Sequence, residues 1–532
     1  MLHNKYSIVL MAILFFALIQ NIQAQNKRKI EILQSDSLDV NEFYGPDIKI
    51  LRGNVQLYHD SATMFCDSAH YNTILNTFDA FGELHIEKLY QGDTIFLYGD
   101  SLTYNGQTKL ARFRMNVRVI KDSVELNTDN LDFDLVDDVG YYFDNGITYS
   151  KEDTLKSVTG YYYAHTDQLY FKKEVVVINP DFVIKCDTLR HDLNTKTSHF
   201  LSPTHITSDQ NLIYCENGWY NHNSDIAQFN KNAFLESKEH KLLGDSLYYD
   251  RKNGLGKAFL NVEIIDTVKS VKLTGNKAWY YEKTELSILS DKALFRQFGK
   301  TDTLYLHADT LMSEMDTTYF PDTLAYRIIR GFHHTKLFRN DVQTKCDSLV
   351  YTLNDSIINM YYEPVIWSGE NQLSAKHIKM YTKNETIEKI DLNENAFIIE
   401  RTDSLRFNQI WGKTMNGYIK NKKINRVDVF TDSKLIYFAR DKGELTGVNK
   451  MECEDLKIYF NEEGKVSRIW FYTEPKGAMY PPFELSETDL YLNGFKWYSA
   501  YRPLTPDEIF IWEKPENELI LKNTEKVTID KR

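Results

Sequence analysis

The chain has 532 residues, 42% of them hydrophobic and 14% aromatic, with 35 Tyr and 30 Phe against 11 Pro and 24 Gly. That is ample β-forming material for a core, which excludes general disorder and a low-complexity linker. The formal net charge of −12 excludes a basic footprint for nucleic acid and argues against electrostatic docking on an anionic membrane surface.

The N-terminus reads as an export signal, residues 1–24. Lys5 supplies the positive region, Ile8–Ile19 the apolar run, and Ile22-Gln23-Ala24 a cleavage site before Gln25. The run is short for a spanning helix, no Cys stands at the junction for lipid attachment, and no later stretch approaches membrane-spanning length. The exported chain is expected to be soluble.

An internal period organises the rest of the chain. In the template Asn232–Asp250, an apolar half (Asn232-Ala233-Phe234-Leu235) is followed by a second half (Gly244-Asp245-Ser246-Leu247-Tyr248-Tyr249), with a polar turn at 236–241 between them. First halves start at Asn116, Asn145, Glu174, Pro203, Asn232 and Asn261, and second halves at Thr128, Ser157, Cys186, Cys215 and Gly244, each step being 29 residues. Earlier copies are visible at Gly53-Asn54-Val55-Gln56-Leu57 with Cys66-Asp67-Ser68, and at Gly82 with Gly99-Asp100-Ser101. Ser35-Asp36-Ser37-Leu38 is a lone second half at the start of the array. Each half is expected to open a short strand with period-two alternation. Copies with two short strands cannot bury an apolar face alone, so stacked copies share a core.

The expected organisation is 25–275 for a regular repeat block, 276–474 for an irregular one and 475–532 for a Pro-rich tail, read as an end cap or a docking segment. The stretch Met312–Thr323 reads as an inserted loop. Alternation places Val55, Leu57, Leu102, Tyr104, Val117, Leu131, Leu247, Tyr249 and Leu349 on one inward face. Thr103 and Tyr248 point outward.

Five Cys in an exported chain invite disulfides. Yet Cys66, Cys186, Cys215, Cys346 and Cys453 occupy the repeat slot filled elsewhere by Gly99, Thr128, Ser157, Gly244, Gly275 and Ala308. A slot that takes only small residues reads as a tight packing position. The acid after that slot (Asp36, Asp67, Asp100, Asp129, Asp187, Asp245, Asp309, Asp347) recurs too regularly for catalysis, which needs one differentiated site, and reads as a turn or strand-start acid. Asp132 and Asp134 alternate with Leu131 and Phe133 and read as a solvated face. The pair His333-His334 would point to opposite faces of a strand. No catalytic or metal site and no cofactor is expected.

The paired motifs G-N-V-x-L and [small]-D-S-L-x-Y resemble the OstA-like family, which includes the LptA-type lipopolysaccharide-transport proteins. They stand here as Gly53–Leu57 with Cys66-Asp67-Ser68, Met115–Val119 with Thr128–Leu131, and Gly244–Tyr249, and the resemblance covers roughly Ile30 to Phe460. It implies an all-β fold, a repetitive antiparallel β-jellyroll of about 29-residue repeats. It also implies a non-enzymatic role in the periplasm of a Gram-negative bacterium or at its outer membrane. The partners implied are lipopolysaccharide or a similar glycolipid, held at Val55, Leu57, Leu102, Tyr104, Val117, Leu131, Leu247, Tyr249 and Leu349. Other OstA-like jellyrolls would pair at the edge near Ile30–Val40; nucleic acid is not expected as a partner. An exported adhesive or structural rod is the alternative function.

Overall fold

The computed structural model describes residues 29–514, apart from 41–42, 60–61, 91–92, 122, 151–152, 239, 269, 301, 316–326, 354, 384–385, 422, 442 and 464–465. The export signal, most of the expected insertion after Met315, and Pro515 lie outside the described residues. The chain divides into two compact units, Met1–Asp209 and Gln210–Arg532.

Both units are built from one device. The strand Ile48–His59 pairs with Ala62–Asn72, which pairs with Thr77–Tyr90, and so on through antiparallel hairpins. The described residues contain no α-helix, only four short 3-10 turns, three of them in the tail.

Each long strand is broken in register near its middle. The shift falls between Arg52 and Val55, Phe81 and Leu84, Arg114 and Val117, and Lys172 and Val175. In the second unit it falls between Asn230 and Ala233, Phe259 and Val262, Phe332 and Thr335, and Asn393 and Ala396. At almost every shift two successive residues take positive φ: Gly53 and Asn54, Met115 and Asn116, Lys173 and Glu174, Lys231 and Asn232, Leu260 and Asn261, His333 and His334. Two residues in the left-handed conformation facing one on the partner strand are a bulge, and a bulge bends a strand. Repeated in alternate strands, it folds the sheet along a corner into two layers. Layer 1 holds segments such as 55–66, 117–128 and 396–412, and layer 2 holds segments such as 68–81, 101–114 and 414–430.

The period of 29 residues is real, but its strands begin elsewhere than expected. Asn116, Asn145, Glu174, Asn232 and Asn261, expected to open strands, sit at the corner with φ of 50–59°; all but Asn145 lie inside strands such as Ile226–Glu236 and Leu255–Asp266. The small slot is the mid-strand residue that faces the first residue past the bulge: Val55 with Cys66, Val117 with Thr128, Val175 with Cys186, Ala233 with Gly244 and Thr335 with Cys346. Two layers converge there, so little volume is left. All five Cys are buried and free, and burial pushes the Cys66 thiol up to about 11 and the Cys186 thiol to about 12.

The recurrent acid has a structural task at the corner rather than at a strand start. The Asn54 amide donates to Asp36 at 3.0 Å, Asn116 to Asp100 at 2.7 Å and Asn261 to Asp245 at 3.0 Å. Each bond ties one corner to the preceding strand. Asn is favoured because it tolerates the left-handed region and carries the donor. Gly53 and Gly82 at the same place have φ of +74°, and a Cβ there would lie 2.3 Å and 2.4 Å from the Asp36 and Asp67 carboxylates. His333 and His334 replace the Gly-Asn pair at the corner, bonded to Asp347 at 3.2 Å and Asp309 at 2.7 Å; they are not on opposite strand faces. Asp132 is also not solvated. It is buried and ion-paired to Arg114 at 2.7 Å, while the Tyr141 hydroxyl donates to it at 3.3 Å.

In the second unit the tail first adds the strand Lys476–Tyr480 alongside Glu444–Cys453. After the strand Lys476–Tyr480 the chain turns at Pro481-Pro482 and runs back over the outer face of layer 1. Leu485, Leu490 and Leu492 pack on Ile436, Phe438 and Val448. Gln409 donates to the Leu490 carbonyl at 2.7 Å and accepts from the Leu492 N–H at 2.8 Å. Gln372 repeats the arrangement with the Lys496 carbonyl at 2.7 Å and the Tyr498 N–H at 2.8 Å. Gln343 accepts two bonds from Arg502, and the Lys336 ammonium group donates to the Ile511 carbonyl at 2.5 Å. Side chains of the sheet thus bond the strap's backbone where it lies on layer 1.

Candidate functional site: an apolar interior between two layers

Alternation on both sides of the corner directs one set of side chains into the space between the layers. In the first unit Val55, Leu57, Leu102, Tyr104, Val117 and Leu131 are 1–6% exposed. In the second unit Leu247 is 6% and Leu349 1% exposed. Tyr249 departs from the expectation. It is only half-buried, and its hydroxyl reaches out to Glu282 at 2.8 Å. Burial, then the Glu282 carboxylate, push it up to about 12. Its strand neighbours are Ala227 and Gly256, too small to close the layer around it. Thr103 is exposed and Tyr248 partly so.

These residues do not converge on one point. Within each unit they form a row: Leu102 pairs with Ala80 and Phe113 and Leu131 with Phe113 and Tyr142 in the first, and Leu247 pairs with Phe229 and Ala258 and Leu349 with Gly331 and Met360 in the second. Repetition of the corner therefore produces a strip, not a pocket.

The two layers touch at their far margins in the first unit. His59, at the end of layer 1, meets the Tyr104 hydroxyl of layer 2 at 2.8 Å, and the Lys88 ammonium group lies 5.4 Å from the Phe133 ring centre. In the second unit one cavity of about 20 Å³ is lined from both layers, by Ile398, Ile410 and Leu435 on one side and Val427, Ile458 and Ile469 on the other. Such a space is about the size of one water molecule, and Asn371, Glu400, Asn408 and Tyr437 also reach its lining. Around this space the interior of the second unit is packed core.

The strap and its glutamines carry no repeat motif and were missed in the sequence. A signal exists: Pro364-Val365-Ile366-Trp367 and Ala396-Phe397-Ile398-Ile399 are apolar without alternation, the mark of strands buried on both faces. Among the described residues no group of three or more His, Cys, Asp or Glu is placed to hold a metal ion, and no helix is long and apolar enough to cross a membrane.

Fold and interior together define a class: a repetitive antiparallel β-jellyroll with an apolar strip between its layers. The model of the OstA-like protein family matches residues 27–187 and 204–297, and over them the chain is an OstA-like protein. Among solved structures, the chain is similar to LptH, described as the LptA homologous periplasmic component of the conserved lipopolysaccharide transport device from Pseudomonas aeruginosa. The identity is 16%, over 20% of this chain and 77% of that one, with a TM-score of 0.19, too slight a likeness to carry an argument. No curated protein matches the chain.

Proposed function

We propose that this chain is a non-enzymatic, exported lipid-binding protein that shields the acyl chains of lipopolysaccharide, or of a similar glycolipid, on their way to the outer membrane. The observation that supports it is the strip itself. The array repeatedly contributes apolar side chains to the space between two layers, among them Val55, Leu57, Leu102, Val117 and Leu131. An acyl chain needs such a strip because each buried methylene contributes about 0.8 kcal/mol. With the interior closed, entry requires the layers to part at their far margins, where His59–Tyr104 and Lys88–Phe133 bridge them, while the corner acts as the hinge.

The strands Glu31–Gln34 and Ser37–Asp39 both pair with Ile48–His59, and among the described residues they have no second partner strand. Leu33 and Leu38 are 54% and 49% exposed there. This edge would receive the strand of another OstA-like jellyroll. Close packing of the interior favours a second reading, an exported structural or adhesive rod.

Photo-crosslinking side chains at Leu102 and Leu247, compared with Thr103 and Tyr248, separate these readings in cells. Lipid adducts from the inward pair support transport. Adducts from neither pair, with no glycolipid detected by mass spectrometry of the purified chain, leave the rod.

A further inference from the structure

Gln409 holds Leu490 and Leu492 and Gln372 holds Lys496 and Tyr498. Between these two pins the strap makes a tight turn, with the Phe495 N–H donating to the Leu492 carbonyl at 3.1 Å and Gly494 at φ of +86°. Phe495 packs on the sheet at Phe397 and Phe407, with ring centres 6.4 and 5.3 Å away. Strap residues on either side of Phe495 and the neighbouring sheet enclose a cavity of about 470 Å³.

Its walls have a definite chemistry. Phe397, Trp411 and Tyr498 supply aromatic surface, and Ser374, Asn395 and Asn493 supply neutral donors and acceptors. Lys376, Lys434 and Lys496 bring three ammonium groups to the lining, against one carboxylate, Glu363. Two further carboxylates partner the lysines from outside the lining: Glu394 lies 2.8 Å from Lys376, and Asp432 lies 3.9 Å from Lys434. Behind Tyr498 stands the buried Lys345, its ammonium group 4.6 Å from the Tyr498 and Tyr501 ring centres and 5.5 Å from that of Trp512. The lining thus holds more ammonium groups than carboxylates, while burial lowers Lys345 behind it from the ordinary lysine range.

Aromatic faces suit the apolar faces of sugar rings, amides and hydroxyls suit their hydroxyl groups, and clustered ammonium groups suit a phosphate. We propose that the cavity between the strap and layer 1, lined by Trp411 and Tyr498, binds a phosphorylated saccharide, with the Lys496 side chain as a contact to its phosphate. Lys496 belongs to the strap rather than the sheet, so a bound anion adds a further tie between the strap and layer 1. The site lies on the outer face of layer 1 and is independent of lipid in the interior.

Two sources present this chemistry, a free sugar phosphate and the phosphorylated sugar headgroup of a glycolipid. Calorimetry on the full exported chain with glucose 6-phosphate, glucose and inorganic phosphate tests the shared chemistry. Saturable binding of glucose 6-phosphate, stronger than of either fragment and at least tenfold weaker in Lys496→Gln and in Trp411→Ala, is the expected result. In Lys496→Gln, unchanged exchange protection of the Leu492 and Tyr498 amides shows that the strap is still pinned. Neutral-lipid vesicles carrying a phosphorylated glucosamine glycolipid form the second arm. Vesicle binding competed by glucose 6-phosphate assigns the site to headgroups, and binding of glucose 6-phosphate alone assigns it to free sugars. Absence of binding in both arms, or affinity unaffected by both substitutions, overturns the proposal. Crosslinking from Leu102 reads the interior separately, so the two ideas fail independently.

Discussion

Layer 1 has an open outer face in the first unit and a covered one over the later strands of the second, from Thr335 on, although both are made by the same corner. In the first unit that face is open to water. Phe65 stacks on His85 at 4.3 Å, His85 on Tyr98 at 6.0 Å, and Arg118 lies 5.4 Å from the Tyr98 ring centre. The strands there alternate buried and exposed residues, as in Ala62–Asn72. In the second unit, Thr335–Phe338, Val342–Cys346 and Ala396–Ile399 are buried without alternation, because the strap lies over them. A β-sheet face thus has two stable solutions, long amphipathic side chains in water or an added covering segment. The second demands partners for every polar group it buries, which explains the glutamines. They read the strap's backbone, and two of them bond its N–H and C=O together.

The contrast breaks most severely at Trp367, which is fully buried between the strap and layer 1, with its indole N–H 3.3 Å from Gln372. Trp367→Ala is expected to cost about 3–5 kcal/mol, read as lost hydrogen-exchange protection across 365–374. Tyr98→Ala, on the open face, should cost under about 1 kcal/mol by the same measurement.

Removing one pin comes next. Gln409→Ala leaves the Leu490 carbonyl and the Leu492 N–H without their partner, a cost of about 1–3 kcal/mol. Proteolysis of the strap near Leu492 should accelerate while the hairpins of the first unit stay resistant.

The far end of the strap should respond to pH. Burial, then the neighbouring Lys514, hold the Lys336 ammonium group down at about 7 rather than 10.5. Glu508, ion-paired with Lys514, opposes the shift. The docked state therefore binds fewer protons than the released one. Docking is strongest above the ordinary lysine range and weakens as pH falls towards about 7, by no more than about 1.4 kcal/mol per pH unit. His307 is lowered by burial as well, so the loss continues in the same direction as pH falls below the ordinary histidine range. Fluorescence of Trp512, which lies by Lys336 and His334, should report tighter docking between pH 7 and 10. Lys336→Met should flatten that response.

Smaller effects sharpen what the two units share. Asn116→Ala puts a Cβ without a donor at φ of 51° and breaks the bond to Asp100. It should cost about 1–2 kcal/mol, and Asn116→Gly less, because glycine tolerates the left-handed region, as urea titration would show. Smallest is Cys66→Ala, under about 1 kcal/mol. Alkylating reagents should leave all five buried thiols untouched in the folded chain, since thiolate is scarce where burial raises the thiol.

Period, all-β class, inward row and small slot were all legible in the sequence. They are local matters, because alternation, side-chain volume and spacing recur within each copy. Val55, Leu102 and Leu349 are buried for the reason their neighbours announce. The corner was not legible, since Asn116 or Asn232 before an apolar run looks like a strand start, and only strands paired on both sides reveal a bulge in mid-strand. The incomplete cover of Tyr249 was not legible, because it depends on Ala227 and Gly256 across the sheet. The strap lies furthest from sequence reading. Gln372 and Leu492 are each ordinary in their own stretch, and the bonds that join Gln372 to Tyr498 span 126 residues. Sequence determines what each repeat does with its own two faces; only the tertiary structure decides which faces a distant segment returns to cover, because that free energy belongs to pairs of segments and to neither alone.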